Sequence, residues 1–112
     1  MIRLNLLGRL DLTAADGSEV RAILSQPKPL AVLAYLSAAS PAGYRRRDEL
    51  LGLLWPETTT TRGRRSLSQV LHVLRTALGT TVIDSRGDEE VGIDPTALSC
   101  DVTDFRTALN DG

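Results

Sequence analysis

One amphipathic segment, residues 64–78, constrains the fold of this chain more than any other part of the sequence. Its apolar residues recur at helical spacing and fall on one face. They are Leu67, Val70, Leu71, Leu74, Ala77 and Leu78. Gly79 follows directly and is predicted to end the helix, because glycine is common just past a helix end. The rest of the chain must therefore supply a core that covers one face of this helix.

The opposite face of this predicted helix is polar and consists of Arg65, Ser68, Gln69, His72, Arg75 and Thr76. Arginine and glutamine side chains read guanine and adenine edges in a major groove. The face contains no acidic residue, which would repel phosphate. Arg62, Arg64 and Arg65 cluster at the amino-terminal end, which enters the groove or meets the backbone in helix-turn-helix docking. A plain solvated helix would show the same face, so the pattern alone leaves both interpretations open.

Two further helices are predicted ahead of this segment. Pro27 and Pro29 suit the first turn of a helix, and the apolar run that follows should lie in the core and end at residues 41–43. The second helix is predicted over residues 47–55, with acidic residues in its first turn, where they suit the positive helix end. Its final residue, a tryptophan, is expected in the core, and the threonines of residues 58–61 can cap the next helix.

Alternating patterns predict β-strands on both sides of the helices. Residues 2–6 and 10–12 alternate apolar and polar side chains, and a returning strand is predicted over residues 20–24 after an Asp-Gly turn. Residues 80–93 are typical of a β-hairpin with its turn at residues 86–88. No functional residue stands out in the first of these sheets.

The charge of the chain is unevenly distributed. Over 112 residues the formal net charge is only −1, yet residues 45–79 hold seven arginines against three acidic residues. Residues 80–112 hold eight acidic residues against two arginines. A local basic band is what phosphate binding requires, even in a chain that is nearly neutral in total. Twelve of the thirteen basic residues are arginine, which favours bidentate contacts, although a high-GC genome would produce the same bias.

Basic side chains outside the predicted third helix are open to two interpretations. Arg45, Arg46 and Arg47 precede the second helix and either contact phosphate or form a solvated basic turn. Arg86, at the tip of the hairpin, could enter a minor groove, but phosphates would repel the acidic residues beside it. Those acidic neighbours are Asp88, Glu89 and Glu90.

Enzymatic chemistry finds no support in the residue pattern. His72 and Cys100 are the single histidine and the single cysteine, and metal-ligand spacing, a phosphate-binding glycine loop and a nucleophile elbow are absent from the sequence. We therefore expect no catalytic activity, no cofactor and no metal, and an inert Cys100. No apolar run approaches the length that spans a bilayer, and the amino terminus makes a poor signal peptide, so a cytoplasmic location is predicted.

The order of these elements is that of a winged helix with an amino-terminal sheet, and several short runs make the likeness more specific. The runs are Leu6-Leu7-Gly8, Pro27-Lys28-Pro29-Leu30, Leu33-Ala34-Tyr35-Leu36, Arg47-Asp48-Glu49-Leu50, Leu54-Trp55-Pro56, Leu67 through Leu71, Leu74-Arg75 and Leu78-Gly79. On these residues the chain resembles the OmpR/PhoB-type winged helix-turn-helix domain, in the version found in bacterial SARP-type transcriptional activators. The resemblance covers residues 1–93.

This resemblance implies an α+β fold, namely a winged helix-turn-helix with an N-terminal antiparallel β-sheet, a three-helix bundle and a C-terminal β-hairpin wing. Residues 94–112 would form a linker and a short helix that resembles the start of the activation domain that usually follows in this family. Cys100-Asp101-Val102 and Phe105 carry that likeness. Phe105 and Leu109 lie one helical turn apart and are expected to pack on a partner surface.

The function that the resemblance implies is sequence-specific binding to promoter DNA by a transcriptional activator, with residues 64–78 in the major groove. The residues that would face bases are Arg65, Ser68, Gln69 and His72. The residues that would contact phosphate are Arg62, Arg64, Arg75, Arg45, Arg46 and Arg47. Side-by-side protomers on direct repeats, and contact with RNA polymerase through residues 56–61, are implied as well.

Two other classes of function stay open at this stage. A winged helix used for protein contacts would turn its basic face toward an acidic partner and bind no DNA. A small hydrolase would need a convergent site around His72, for which the sequence offers no residues.

Overall fold

The computed structural model describes residues 1–39 and 43–111, which form an α+β domain with two small sheets beside a bundle of helices. The strands in these ranges are β1 (Ile2–Asn5), β2 (Asp11–Thr13), β3 (Arg45–Arg46), β4 (Ile83–Arg86), β5 (Glu90–Ile93) and β6 (Leu98–Cys100). The helices are α1 (Arg21–Leu24), α2 (Pro27–Ala38), α3 (Arg47–Leu54), α4 (Thr60–Leu78) and α5 (Asp101–Asp111).

The first sheet has the order β2-β1-β6. β1 and β2 pair antiparallel with Leu4 opposite Leu12, as the alternating pattern predicts, and both leucines are fully buried. β6 pairs parallel to β1 and places Cys100 opposite Leu4. The sequence did not predict β6, because a parallel partner has to return through a long crossover, which here contains most of the chain.

The predicted returning strand over residues 20–24 is wrong. That segment forms the single helical turn α1, and only an isolated bridge between Thr13 and Glu19 extends the sheet on this side. Arginine, alanine and leucine are good helix formers. The turn also places Ile23 in the core, where it is fully buried. A helical turn therefore buries the same apolar residue that led the pattern to predict a strand.

The core lies between the helices and the inner faces of the two sheets. α2, α3 and α4 contact one another, and their fully buried leucines include Leu33, Leu50, Leu67, Leu71 and Leu74. α2 begins at Pro27 as predicted and ends at Ala38. Residues 41 and 42 of the predicted helix end lie outside the described residues. Trp55 is only half-buried, and the ammonium group of Lys28 lies over its ring at 5.1 Å.

Helix α4 begins four residues earlier than the apolar pattern predicts. Thr59 caps it, because its side-chain oxygen accepts a hydrogen bond from the Arg62 N–H at 3.3 Å. The first turn approaches α3 closely: a Cβ on Gly63 would lie 3.1 Å from a methyl group of Leu51. At the other end Gly79 adopts a φ of 103°, which confirms the predicted stop.

The second sheet has the order β3-β5-β4 and contains the predicted hairpin. β4 and β5 pair antiparallel, and Gly87 turns between them with a φ of 62°. Val91 of β5 is fully buried. Gly92 allows close contact with Tyr44, since a Cβ there would lie 3.3 Å from the Tyr44 Cα atom. The hairpin is therefore held against β3 and not extended freely into solvent.

Polar contacts attach α5 to the rest of the domain. Arg106 Nη2 donates to the carbonyl of Ala38 at 3.0 Å, and Thr103 Oγ1 donates to that of Ser37 at 3.1 Å. Both therefore supply hydrogen-bond donors to carbonyl groups at the carboxyl end of α2, where carbonyls lack a partner within the helix. On the outer side Phe105 is 57% exposed and Leu109 is 65% exposed. Within the described part of this chain these two side chains are thus left mostly uncovered, and a partner surface for them stays a prediction.

The carboxylate of Asp101 fixes the start of α5 to the end of β1. It accepts hydrogen bonds from the N–H groups of Leu6 at 2.8 Å and Leu7 at 2.9 Å. Burial raises the pKa of Asp101, but these backbone hydrogen bonds outweigh it and hold the pKa below that of an ordinary aspartate. In addition, Arg3 pairs with Asp104 of α5 at 2.5 Å. None of the described helices is both long and apolar enough to cross a membrane.

We expect Asp101→Ala to lower the free energy of unfolding by roughly 1–2 kcal/mol at about pH 7, because two backbone N–H groups lose a charged acceptor. The folded-state pKa is depressed, so this stabilisation is present above the pKa of an unfolded aspartate, about 3.9, and is lost as the pH falls through the folded value. Urea unfolding at about pH 7 and about pH 2 measures both. An equal difference between variant and wild type at the two pH values would contradict this assignment.

Candidate nucleic-acid interface

The outward side of α4 carries a continuous row of exposed polar residues. Its exposed residues include Arg65, Ser68, Gln69, His72 and Thr76, which we call the α4 stripe. The residues beneath the stripe are buried, Leu67 and Leu71 fully. The orientation predicted from the apolar period is therefore confirmed, and neither the hairpin nor α5 covers the stripe.

Two arginines at the amino-terminal end of the stripe have no acidic partner. Arg62 and Arg65 are exposed, and no carboxylate among the described residues forms an ion pair with either guanidinium. Their charge is therefore not cancelled locally, and such a charge attracts phosphate.

Arg64, although adjacent in sequence, belongs to a different group of charges. Its Nη2 atom lies 3.0 Å from Asp48 Oδ1 on α3. The other oxygen of Asp48 lies 4.0 Å from Arg46 Nη2, which in turn lies 3.3 Å from Glu89 Oε2 in the hairpin turn. Arg64, Asp48, Arg46 and Glu89 form a row of alternating charges, which we call the charged row. It joins α4, α3, β3 and the hairpin.

The other two members of the predicted basic run do not form a free patch. The Arg45 side chain is only 18% exposed, and its Nη1 atom lies 3.9 Å from Glu49 Oε2. Glu49 also accepts a hydrogen bond from the hydroxyl of Tyr35. Arg47 is half-buried, and its backbone N–H donates to the Glu89 carbonyl at 2.8 Å. Residues 45–47 thus serve largely to join β3 and α3 to the hairpin.

Arg75, predicted to contact phosphate, connects the last turns of α4 to the hairpin. Its Nη2 atom donates to Ser85 Oγ at 2.8 Å and, with Nε, to the carbonyl of Ile83 at 3.4 Å. The side chain is half-buried. The geometry gives Arg75 a structural role in fixing the hairpin relative to the α4 stripe.

Arg86 is held on the hairpin by an aromatic ring. Its guanidinium lies 3.9 Å from the centroid of Tyr44. The Tyr44 hydroxyl donates to the Asp84 carboxylate, and this hydrogen bond, together with burial, raises the pKa of Tyr44. In the sheet register Glu90 lies between Arg46 and Arg86. Acidic side chains therefore surround the one arginine that the sequence placed near a minor groove.

Comparison with protein-family models, with curated proteins and with solved structures finds no match to this chain. Among residues 1–39 and 43–111 no group of three or more histidine, cysteine, aspartate or glutamate side chains is arranged to hold a metal ion. The exposure and the ion pairs described above define the candidate interface. It consists of the α4 stripe, Arg62, which has no ion pair among the described residues, and the charged row beside the stripe.

We expect Arg75→Ala to lower the free energy of unfolding by roughly 1–2 kcal/mol, because the carbonyl of Ile83 and the hydroxyl of Ser85 lose a charged donor. Thr76→Ala, which changes the exposed residue next to Arg75, is the control and should change the free energy of unfolding by less than about 0.5 kcal/mol. Urea unfolding measures both variants, and amide exchange in β4 should accelerate in the first. Equal stability of the two variants would show that Arg75 does not hold the hairpin.

Proposed function

We propose that this chain is a sequence-specific double-stranded DNA-binding domain of a bacterial transcriptional regulator, with α4 in the major groove. The observation that carries the proposal is the α4 stripe, which is exposed, free of acidic residues and fixed by a buried underside. The arrangement of α3, α4 and the β4–β5 hairpin supports a winged helix-turn-helix architecture. It is also consistent with the resemblance to the OmpR/PhoB-type domain of SARP activators.

The dimensions of the stripe suit base reading. From Arg65 to His72 the helix rises by seven steps of about 1.5 Å, or roughly 10 Å. This length matches about three base pairs at roughly 3.4 Å each. Arg65 would pair with guanine and Gln69 with adenine, while Ser68 and His72 would contact neighbouring base edges.

Phosphate contacts would begin with Arg62, which is unpaired and lies one turn before the stripe. Arg64 and Arg46 could reach the backbone only by leaving Asp48. The acidic surroundings of Arg86 argue against a minor-groove contact by the hairpin. The proposed interface is therefore narrower than the full set of arginines in the sequence.

A regulatory role would extend the proposal beyond DNA. The connector of residues 56–61 is exposed and would be free to contact RNA polymerase, as the resemblance to transcriptional activators implies. Protomers would bind side by side on direct repeats, and a promoter-binding role would place the protein in the cytoplasm. No catalytic activity and no cofactor belong to this proposal.

One observation favours a second candidate, a protein-interaction module. Phe105 and Leu109 lie one turn apart on α5 and are more than half exposed, which is typical of a surface that meets another protein. A gel shift with random-sequence duplex at low salt separates the two functions, because only the DNA-binding domain retards the duplex.

We expect Gln69→Ala and Arg65→Ala each to weaken binding to a duplex selected from a random pool by roughly 1–3 kcal/mol and to relax the preference for a base. Arg9→Ala, which removes an exposed arginine in the β1–β2 loop, is the control and should have little effect. Footprinting and titration against single-base variants measure both quantities. An equal loss on every sequence would refute a base-reading role.

We expect the logarithm of the affinity to fall linearly with the logarithm of salt concentration, by about 0.9 for each phosphate neutralised. Arg62→Ala should reduce the magnitude of this salt slope by close to the contribution of one phosphate. It should weaken binding by the same factor on all sequences, since phosphates carry no sequence information. Fluorescence anisotropy over a salt series measures the slope. A wild-type affinity that does not change with salt would contradict the electrostatic part of the proposal.

A further inference from the structure

The charged row flanks the α4 stripe and is open to solvent. The side chains of Arg64, Asp48, Arg46 and Glu89 are 46%, 53%, 62% and 57% exposed. The carboxylate of Asp48 pairs with both arginines, at 3.0 Å from Arg64 and 4.0 Å from Arg46, and Arg46 also pairs with Glu89 at 3.3 Å. Two cations close to the proposed DNA face are thus engaged within the protein.

Apart from its place in the first turn of α3, the Asp48 carboxylate makes the contacts of the charged row, which join α3 to α4 and β3. Glu49 also lies in the first turn of α3, where a carboxylate suits the helix end. Among the described residues the Asp48 carboxylate accepts a hydrogen bond from Arg64 and none from a backbone N–H. Its contacts are therefore directed at the two arginines.

Exposed ion pairs of this kind are weak, so a phosphate can compete for the same guanidinium groups. In the protein as it stands, Asp48 opposes such contacts in two ways. It occupies Arg64 and Arg46, and it places a negative charge beside any phosphate that approaches them. Arg62 and Arg65, which have no acidic partner in the described ranges of the chain, are not restrained in this way.

We propose that Asp48 is a specificity-determining residue that holds Arg46 and Arg64 back from phosphate and so lowers sequence-independent affinity for DNA. The proposal rests on the DNA-binding function proposed above. It means that the domain binds through the α4 stripe more than through general attraction to the backbone. Non-specific DNA, which offers phosphates but no matching bases, is then released more readily.

The test compares Asp48→Asn with wild type on a random-sequence duplex, by fluorescence anisotropy over a salt series. Removing the carboxylate should tighten binding by about 3- to 10-fold at low salt and steepen the salt slope by about 0.9 for each arginine released. Glu89→Gln, which removes the closer of the two carboxylates at Arg46 and leaves Asp48 in place, should give a smaller gain. Adding Arg64→Ala to Asp48→Asn should cancel most of the gain.

Glu19→Gln is the matched control. It removes the same charge and also breaks an exposed ion pair, with Arg21 at 3.3 Å, but it lies after β2 and not in the charged row. Its affinity should stay within about 2-fold of wild type, because its ion pair with Arg21 does not engage Arg46 or Arg64. Thermal unfolding of every variant confirms that each is folded.

The outcomes separate the two proposals. If wild type binds the duplex with salt dependence and Asp48→Asn is no tighter than Glu19→Gln, the role of Asp48 is overturned and the DNA-binding function stands. A folded Asp48→Asn that binds more weakly than wild type overturns the role of Asp48 as well. If wild type binds no duplex, the DNA-binding function fails, and the role of Asp48 fails with it.

Discussion

The burial of one side of α4 is the constraint on which the rest of this structure depends. Leu67, Leu71 and Leu74 are fully buried against the other helices, and truncating one such leucine typically costs about 2–5 kcal/mol. Because helical geometry is rigid, seating these leucines also determines which side chains face outward. The α4 stripe is thus a consequence of the core, and base-reading groups on it would be held without freedom to rotate about the helix axis.

Ion pairs then divide the arginines into different roles. Arg62 and Arg65 form no ion pair with any described residue. Arg64 and Arg46 share Asp48, and Arg75 holds the hairpin through Ile83 and Ser85. A count of basic residues treats them as equivalent, whereas their partners decide which can meet a phosphate. The net effect is a concentrated positive charge at the start of α4 beside a hairpin rich in acidic residues.

The sequence predicts the parts of this molecule that depend on local pattern. The apolar period of α4, the prolines at the start of α2 and the hairpin of β4 and β5 are all visible in it. It does not predict β6, whose partner β1 is distant along the chain, or α1, a four-residue helical turn that falls within the predicted strand of residues 20–24. The contacts of Asp48 with Arg64 and of Arg75 with Ser85 escape it as well, because they arise only when separate elements pack together.

A titration of isotope-labelled protein with a duplex selected from a random pool, followed by NMR, tests the central claim most directly. We expect the largest amide shifts in α4, at Arg65, Gln69 and His72, with little change in β1 and β2. The largest shifts at Phe105 and Leu109 on α5, with α4 unchanged, would contradict a DNA interface on the α4 stripe.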